Sequence, residues 1–167
     1  MKLKEYRSLC GNLLLGVHAG KVCLCDWMVG DRTERTLRRI NRFLQSEQNM
    51  ADEALLAMTV SLLDEYFKGK IKEIDLPLKF YGTEFQQSVW QALQRSPYGE
   101  TVSYKDIAEH VGRPGSVRAV ANAIGANPLS ILVPCHRVIG SNGRLTGYAG
   151  GLEAKKYLLE LERQWGR

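Results

Sequence analysis

Pro134-Cys-His-Arg137 sets a thiol beside an imidazole directly after the apolar run Ile131-Leu-Val133. A free thiol has a pKa of about 8.5 and needs a proton acceptor nearby to be a nucleophile at neutral pH. An imidazole can be that acceptor, directly or through a water. Neighbours in an extended strand point to opposite faces, so the chain must curl at Cys135 for the pair to act together. Pro134 restricts the backbone just before it. Arg137 is expected to add positive potential beside the thiol. The plain alternative is an inert buried cysteine followed by an incidental histidine, and adjacency alone does not decide between them.

The elements around this cluster are legible from caps and breaks. Thr83 is a good N-cap for a helix over Glu84–Arg95, with Phe85, Val89 and Leu93 at spacing four. Ser96-Pro-Tyr-Gly99 reads as a turn. Ser103 caps a short helix over Tyr104–Val111, Gly112-Arg-Pro-Gly115 breaks it, and Ser116 caps a helix over Val117–Ile124 that ends before Asn127-Pro128. Two short helices across a glycine-containing turn form a helix-turn-helix pattern. Ile131–Val133 and Val138-Ile139 read as short strands, and Glu153–Arg163 as a closing amphipathic helix. Ahead of these lies a first lobe. Leu13–Val17 and Lys21–Trp27 are strands joined at His18-Ala-Gly20, with Val22 and Leu24 on one face and Cys23, Cys25 and Trp27 on the other. Glu34–Phe43 is a helix with Leu37, Ile40 and Leu44 inward and Arg35, Arg38, Arg39 and Arg42 as a solvated stripe. Glu53–Phe67 is a second helix, and Ile74–Leu78 an exit strand or linker. The division falls at 1–76 and 77–167.

Composition agrees with a folded chain of 167 residues, 44% hydrophobic and 25% charged. No apolar run approaches the roughly 18–20 residues of a membrane span, and no secretion signal is visible, so a cytoplasmic setting is expected. The net charge is +5, but residues 110–152 hold four arginines and no Lys, Asp or Glu. A surface without carboxylates suits a polyanion, and a glycine- and alanine-rich buried segment would leave the same trace. Cys10, Cys23 and Cys25 with His18 are ligand types for zinc, yet the one-residue gap between Cys23 and Cys25 is not that of a common zinc knuckle. Reduced, packed thiols are the favoured reading, and no metal is assigned.

Ile131-Leu-Val-Pro-Cys-His-Arg-Val-Ile-Gly140 resembles the active-site signature of the O6-alkylguanine-DNA alkyltransferase (methylated-DNA–protein-cysteine methyltransferase) family. Thr83–Trp90, Tyr98–Tyr104, Arg118–Ala123, Asn127-Pro128, Tyr148–Leu152 and Lys155–Glu162 resemble further segments of that family, in order, across residues 80–163. The resemblance implies an α+β fold: a small N-terminal antiparallel sheet-plus-helix lobe (ribonuclease-H-like), then a mostly helical, winged helix-turn-helix-like domain. It implies that Cys135 takes an alkyl group irreversibly from O6 of guanine in DNA, with O4-alkylthymine as a further substrate. His136 would polarise a water toward Cys135, and Glu162 would hold His136. Tyr104 would assist at the extruded base. Arg118 would fill the gap left in the stack, and Ala119 would let its helix lie close to the minor groove. Asn127, Tyr148, Ala149 and the backbone of Val138 would line the pocket. Ala121 stands where many members have glycine. No cofactor is implied, and the partner is double-stranded DNA carrying O6-alkylguanine, bound by a monomer. The alternatives are a non-catalytic alkyl-lesion-binding DNA protein, whose relatives lack the cysteine, and a cysteine hydrolase. The hydrolase would have to bring a distant His18 or His110 to Cys135.

Overall fold

The computed structural model describes residues 1–44 and 49–166. Three strands, β1 (Lys2–Ser8), β2 (Gly11–His18) and β3 (Lys21–Trp27), form an antiparallel meander in that order. The β2–β3 turn is Ala19-Gly20, both at positive φ, which matches the twist of a two-residue hairpin. β1 was not anticipated from the sequence. It buries only Tyr6 and presents Lys2, Lys4 and Arg7 along an edge, so it carries no apolar alternation.

The facing expected for β3 is overturned. Gly16 opposes Leu24 while Val17 opposes Val22, so Cys23 is an extra residue and the alternation slips at that point. Val22 therefore joins Cys25 and Trp27 in the main core, and Leu24 packs with Leu14 and Ile40 on the other face. Helix α1 (Arg32–Asn41) covers that second face. Helix α2 (Asp52–Phe67) lies on the first, placing Leu56, Leu63 and Tyr66 in the core that continues into the second lobe.

The segment 74–78 is not a strand of its own. It meets β3 at an isolated bridge, where Val22 N–H donates to Pro77 O (2.8 Å) and Lys79 N–H to Val22 O (2.9 Å). Further along the same strand, Cys25 N–H donates to Pro128 O (2.8 Å), so β3 also anchors the chain leading into Cys135. The proposed division at 76/77 falls in this extended stretch.

In the second lobe α3 (Glu84–Leu93) and α4 (Tyr104–His110) open on full capping boxes, Thr83 with Gln86 and Ser103 with Asp106. Ser116 precedes α5 (Val117–Gly125) but its side chain makes no capping bond. A two-residue β4 (Val102–Ser103) pairs in parallel with β5 (Val138–Ile139), and α6 (Leu152–Trp165) closes the chain. Ile131–Val133 is not the expected strand. Leu132 N–H bonds Ser130 O (2.9 Å), Val133 N–H bonds Leu129 O (2.8 Å), and Ile131 has φ 72°, a conformation rare for a β-branched residue. The chain thus coils before Cys135–Arg137, a single 3₁₀ turn.

Candidate active site

Cys135 lies in the wall of a cavity of about 300 Å³. α5 contributes Ala121, Asn122, Ile124 and Gly125, and α4 contributes Tyr104. Gly147, Tyr148 and Ala149 form one lip, and Arg32 reaches in from α1. The lip is braced from the first lobe: Trp27 Nε1 donates to Tyr148 Oη (3.1 Å), and a Cβ on Gly150 would meet the Trp27 ring at 2.6 Å. Thr146 Oγ1 donates to Tyr104 Oη (3.2 Å).

Burial pushes the Cys135 thiol up from its ordinary value, and a hydrogen bond from Asn127 opposes that push. The Asn127 carboxamide is fixed from both ends. Its Nδ2 donates to Val133 O (2.9 Å), and its Oδ1 accepts from Leu129 N–H (3.0 Å). The proton therefore rests on sulfur until an acceptor takes it.

His136 is fully buried, with Nε2 2.7 Å from Glu162 Oε1. Its Nδ1 is buried without a protein partner among the described residues. Burial lowers the imidazole pKa and Glu162 works against that, the net being downward. The ring is thus neutral, with Nδ1 the nitrogen left to accept a proton once Nε2–H is given to the carboxylate.

Glu162 is also fully buried, and its carboxylate accepts five hydrogen bonds. Oε1 takes Tyr66 Oη (2.7 Å), His136 Nε2 (2.7 Å) and Arg137 Nη2 (2.9 Å), while Oε2 takes Arg137 Nε (2.9 Å) and Gly99 N–H (3.3 Å). Burial alone would raise its pKa. The bonds from His136 and Arg137 outweigh that and hold it down at about 2.

Arg137 corrects the sequence expectation. Its guanidinium is committed to Glu162, to Ser96 O and to the Tyr98 ring (5.6 Å), so its charge is spent on the carboxylate rather than set beside the thiol. Lys155 was not singled out from the sequence as a site residue. It is fully buried with no carboxylate partner among the described residues, its Nζ donates to Thr146 O (2.8 Å), and burial brings its pKa from 10.5 to about 8. The sequence held a signal for the two buried charges of α6: Lys155, Leu158 and Glu162 recur on one helical face with Ala154 and Leu161.

Arg118 and Ala119 lie exposed in the first turn of α5, outside the cavity lining. Val138 is buried in β5, its N–H donates to Cys135 O, and it is not among the lining residues. The arginine stripe of α1 is only partly solvated. Arg35 pairs with Asp31 and Arg38 with Glu34 at the surface, but Arg39 turns inward. Among the described residues no three metal-ligating side chains gather. Cys23 Sγ contacts Met1 Sδ (3.4 Å) and Gly16 O (3.6 Å), and Cys10 contacts Ser8 (3.6 Å).

Residues 84–164 match the family model described as 6-O-methylguanine DNA methyltransferase, DNA binding domain. The methylated-DNA–protein-cysteine methyltransferase of Mycolicibacterium paratuberculosis is 56% identical over 108 residues, 65% of this chain and 66% of that protein. Its namesake from Mycobacterium leprae is 55% identical over 114 residues, 68% of this chain and 69% of that one. The crystal structure of Mycobacterium tuberculosis O6-methylguanine methyltransferase superposes with a TM-score of 0.79 at 40% identity, covering 97% of this chain and 92% of that one. A structure of the M. tuberculosis protein in complex with DNA also gives a TM-score of 0.79, at 38% identity over 98% and 93% of the two chains.

Proposed function

The chain belongs to the O6-methylguanine DNA methyltransferase family, and from that premise we infer that it is a DNA-repair protein that moves an alkyl group from O6 of guanine to its own Cys135. The observation that carries the assignment to Cys135 is a thiol in the wall of a purine-sized cavity, one residue from a buried His136–Glu162 pair.

The reaction is a substitution at carbon. A sulfur–carbon bond forms at Cys135 as the carbon–O6 bond breaks, and neither centre changes in a way that needs a metal or redox partner. The thiol proton passes through a water to His136 Nδ1. Glu162 stabilises the resulting imidazolium through Nε2, as the acid of any thiol triad does. The departing guanine takes up a proton with the Tyr104 hydroxyl as donor, Tyr104 recovers it from solvent, and His136 returns the thiol's proton to solvent. Asn127 stabilises the thiolate character that develops on sulfur.

O6 lies within the duplex stack, so the nucleotide must swing out to meet Cys135. Arg118, exposed at the start of α5, is the side chain for the gap it leaves. Ala119 and Ala121 keep the helix surface shallow enough to approach the minor groove. The product is a thioether with no carbonyl for water to attack, so each molecule acts once. The chain's four free cysteines suit a reducing compartment, the cytoplasm, and no helix of the described residues is long and apolar enough to cross a membrane.

Incubation with duplex DNA carrying O6-methylguanine, followed by intact and peptide mass spectrometry, tests this reading. The expected product carries one methyl group, on Cys135. Unmodified protein, or a methyl group on another residue, refutes it.

A further inference from the structure

The carbonyls that end α5 and lead toward Cys135 are satisfied almost entirely from the first lobe. Arg32 Nη1 donates to Gly125 O (2.9 Å) and Nη2 to Asn127 O (3.1 Å). Arg39 Nη2 donates to the carbonyl between them, Ala126 O (2.7 Å), and Cys25 N–H takes the next, Pro128 O (2.8 Å). The last carbonyls of a helix lack intrahelical partners and carry partial negative charge, so two guanidiniums there are favourable as donors and as cations.

Both arginines are themselves held. Arg32 Nε pairs with the buried Asp26 (2.9 Å), whose other oxygen accepts from Thr36 Oγ1 (2.9 Å). Arg39 lies over the Trp90 ring (5.9 Å), and Trp90 Nε1 donates to Ala123 O (2.8 Å), one turn earlier on α5. Asn127 lines the cavity together with Cys135, and its backbone is gripped by α1 while its side chain is gripped by the Leu129–Val133 turn.

We propose that Arg39, together with Arg32, is a positioning residue for the transfer step: a clamp from the first lobe that holds the carbonyls of Gly125, Ala126 and Asn127 and so aims the Asn127 carboxamide at the Cys135 sulfur. Arg39 does not line the cavity, so its effect reaches the chemistry through α5 and Asn127. This rests on Cys135 being the acceptor. It gives the first lobe a part in catalysis rather than in folding alone.

Arg39→Met keeps the apolar stem over Trp90 and removes the charge and the donor. Asp26, Arg32 and Lys155, the charged groups that act on Cys135, stay in place. The rate constant for transfer from saturating O6-methylguanine duplex should fall about tenfold, the effect of one charge-assisted hydrogen bond. Affinity for that duplex should be unchanged, and Arg39→Lys should recover much of the rate. Alkylation of Cys135 by iodoacetamide, followed by peptide mass against pH, should shift to higher pH in Arg39→Met.

A wild-type rate and iodoacetamide profile with only a lowered unfolding midpoint would reduce Arg39 to a structural residue. Lost duplex affinity at an unchanged rate would move its role to DNA binding. If Arg39→Met does not fold, Arg32→Lys, which cannot span Gly125 and Asn127, must show the same slowed transfer and shifted profile. A wild-type protein that transfers nothing overturns the functional reading, and the iodoacetamide profiles still decide the clamp.

Discussion

Replacing Glu162 with Gln keeps the side chain's shape and removes its charge at the most heavily bonded point of the site. One carboxylate oxygen becomes an amide nitrogen. It then faces either Arg137 Nε and Gly99 N–H, or Tyr66 Oη, His136 Nε2 and Arg137 Nη2, all of them donors. Arg137 is left buried without its counter-charge, which for a buried pair costs about 3–5 kcal/mol. The carboxyl's own titration gives the same order, since a pKa held at about 2 against an ordinary 4.5 corresponds to about 3 kcal/mol. Because the folded value is the lower one, this stabilisation is fully present above pH 4.5 and is lost as pH falls toward 2. Urea unfolding at neutral pH, read by tryptophan fluorescence, should show Glu162→Gln less stable by about 3–5 kcal/mol. The wild type should lose that margin in acid while the variant stays flatter across the same window. Transfer should slow as well, because His136 loses the anion that supports its proton. A charge-assisted bond of about 1.5–3 kcal/mol gives about a 10- to 100-fold slower rate. Affinity for lesion-bearing duplex should be unchanged, since Glu162 is out of reach of DNA. A stability change below about 1 kcal/mol, the size of a surface ion pair, would refute the network reasoning. So would a wild-type transfer rate.

Arg118→Ala should slow repair of duplex DNA far more than transfer from free O6-benzylguanine, because only the duplex requires a base to leave the stack; equal losses on both would remove the stack-filling role. Moles of guanine repaired should plateau at one per mole of protein with substrate in excess, and Cys135→Ser should bind lesion DNA and repair none; continued turnover, counted by product release, would contradict a thioether end state. Lys155 is protonated less readily folded, at about 8, than its ordinary 10.5, so the fold should gain stability as pH rises from about 8 toward 10.5. Lys155→Met should lack that gain in urea titrations, and an identical pH dependence in both proteins would show that the ammonium is not held in a desolvated place.

Much of the second lobe was legible because its signals are local. Thr83 with Gln86 and Ser103 with Asp106 specify helix starts within four residues, and Gly112 stops α4 at a φ of 71°. The Cys135–His136 adjacency raised activated-thiol chemistry because both groups are contiguous in the chain, and the resemblance of the flanking segments decided for it over an inert cysteine. The roles of Glu162 and Arg118 came only from the family resemblance, since the spacing that sets Glu162 on the apolar face of α6 with Leu158 and Leu161 does not say that it holds His136.

What the tertiary structure alone decided are the long-range pairings. Arg137 neutralises a carboxylate 25 residues away instead of polarising its neighbouring thiol, and Tyr66 reaches the same carboxylate from the other lobe. Arg32 and Arg39 stand on a helix that reads as solvated, yet they fill hydrogen-bond needs at the end of α5 that sequence spacing cannot register. The slip at Cys23 and the coil at Ile131 likewise come from packing. A strand that must feed two cores, and a chain that must turn a thiol into a cavity, give up the local preferences by which a sequence is read.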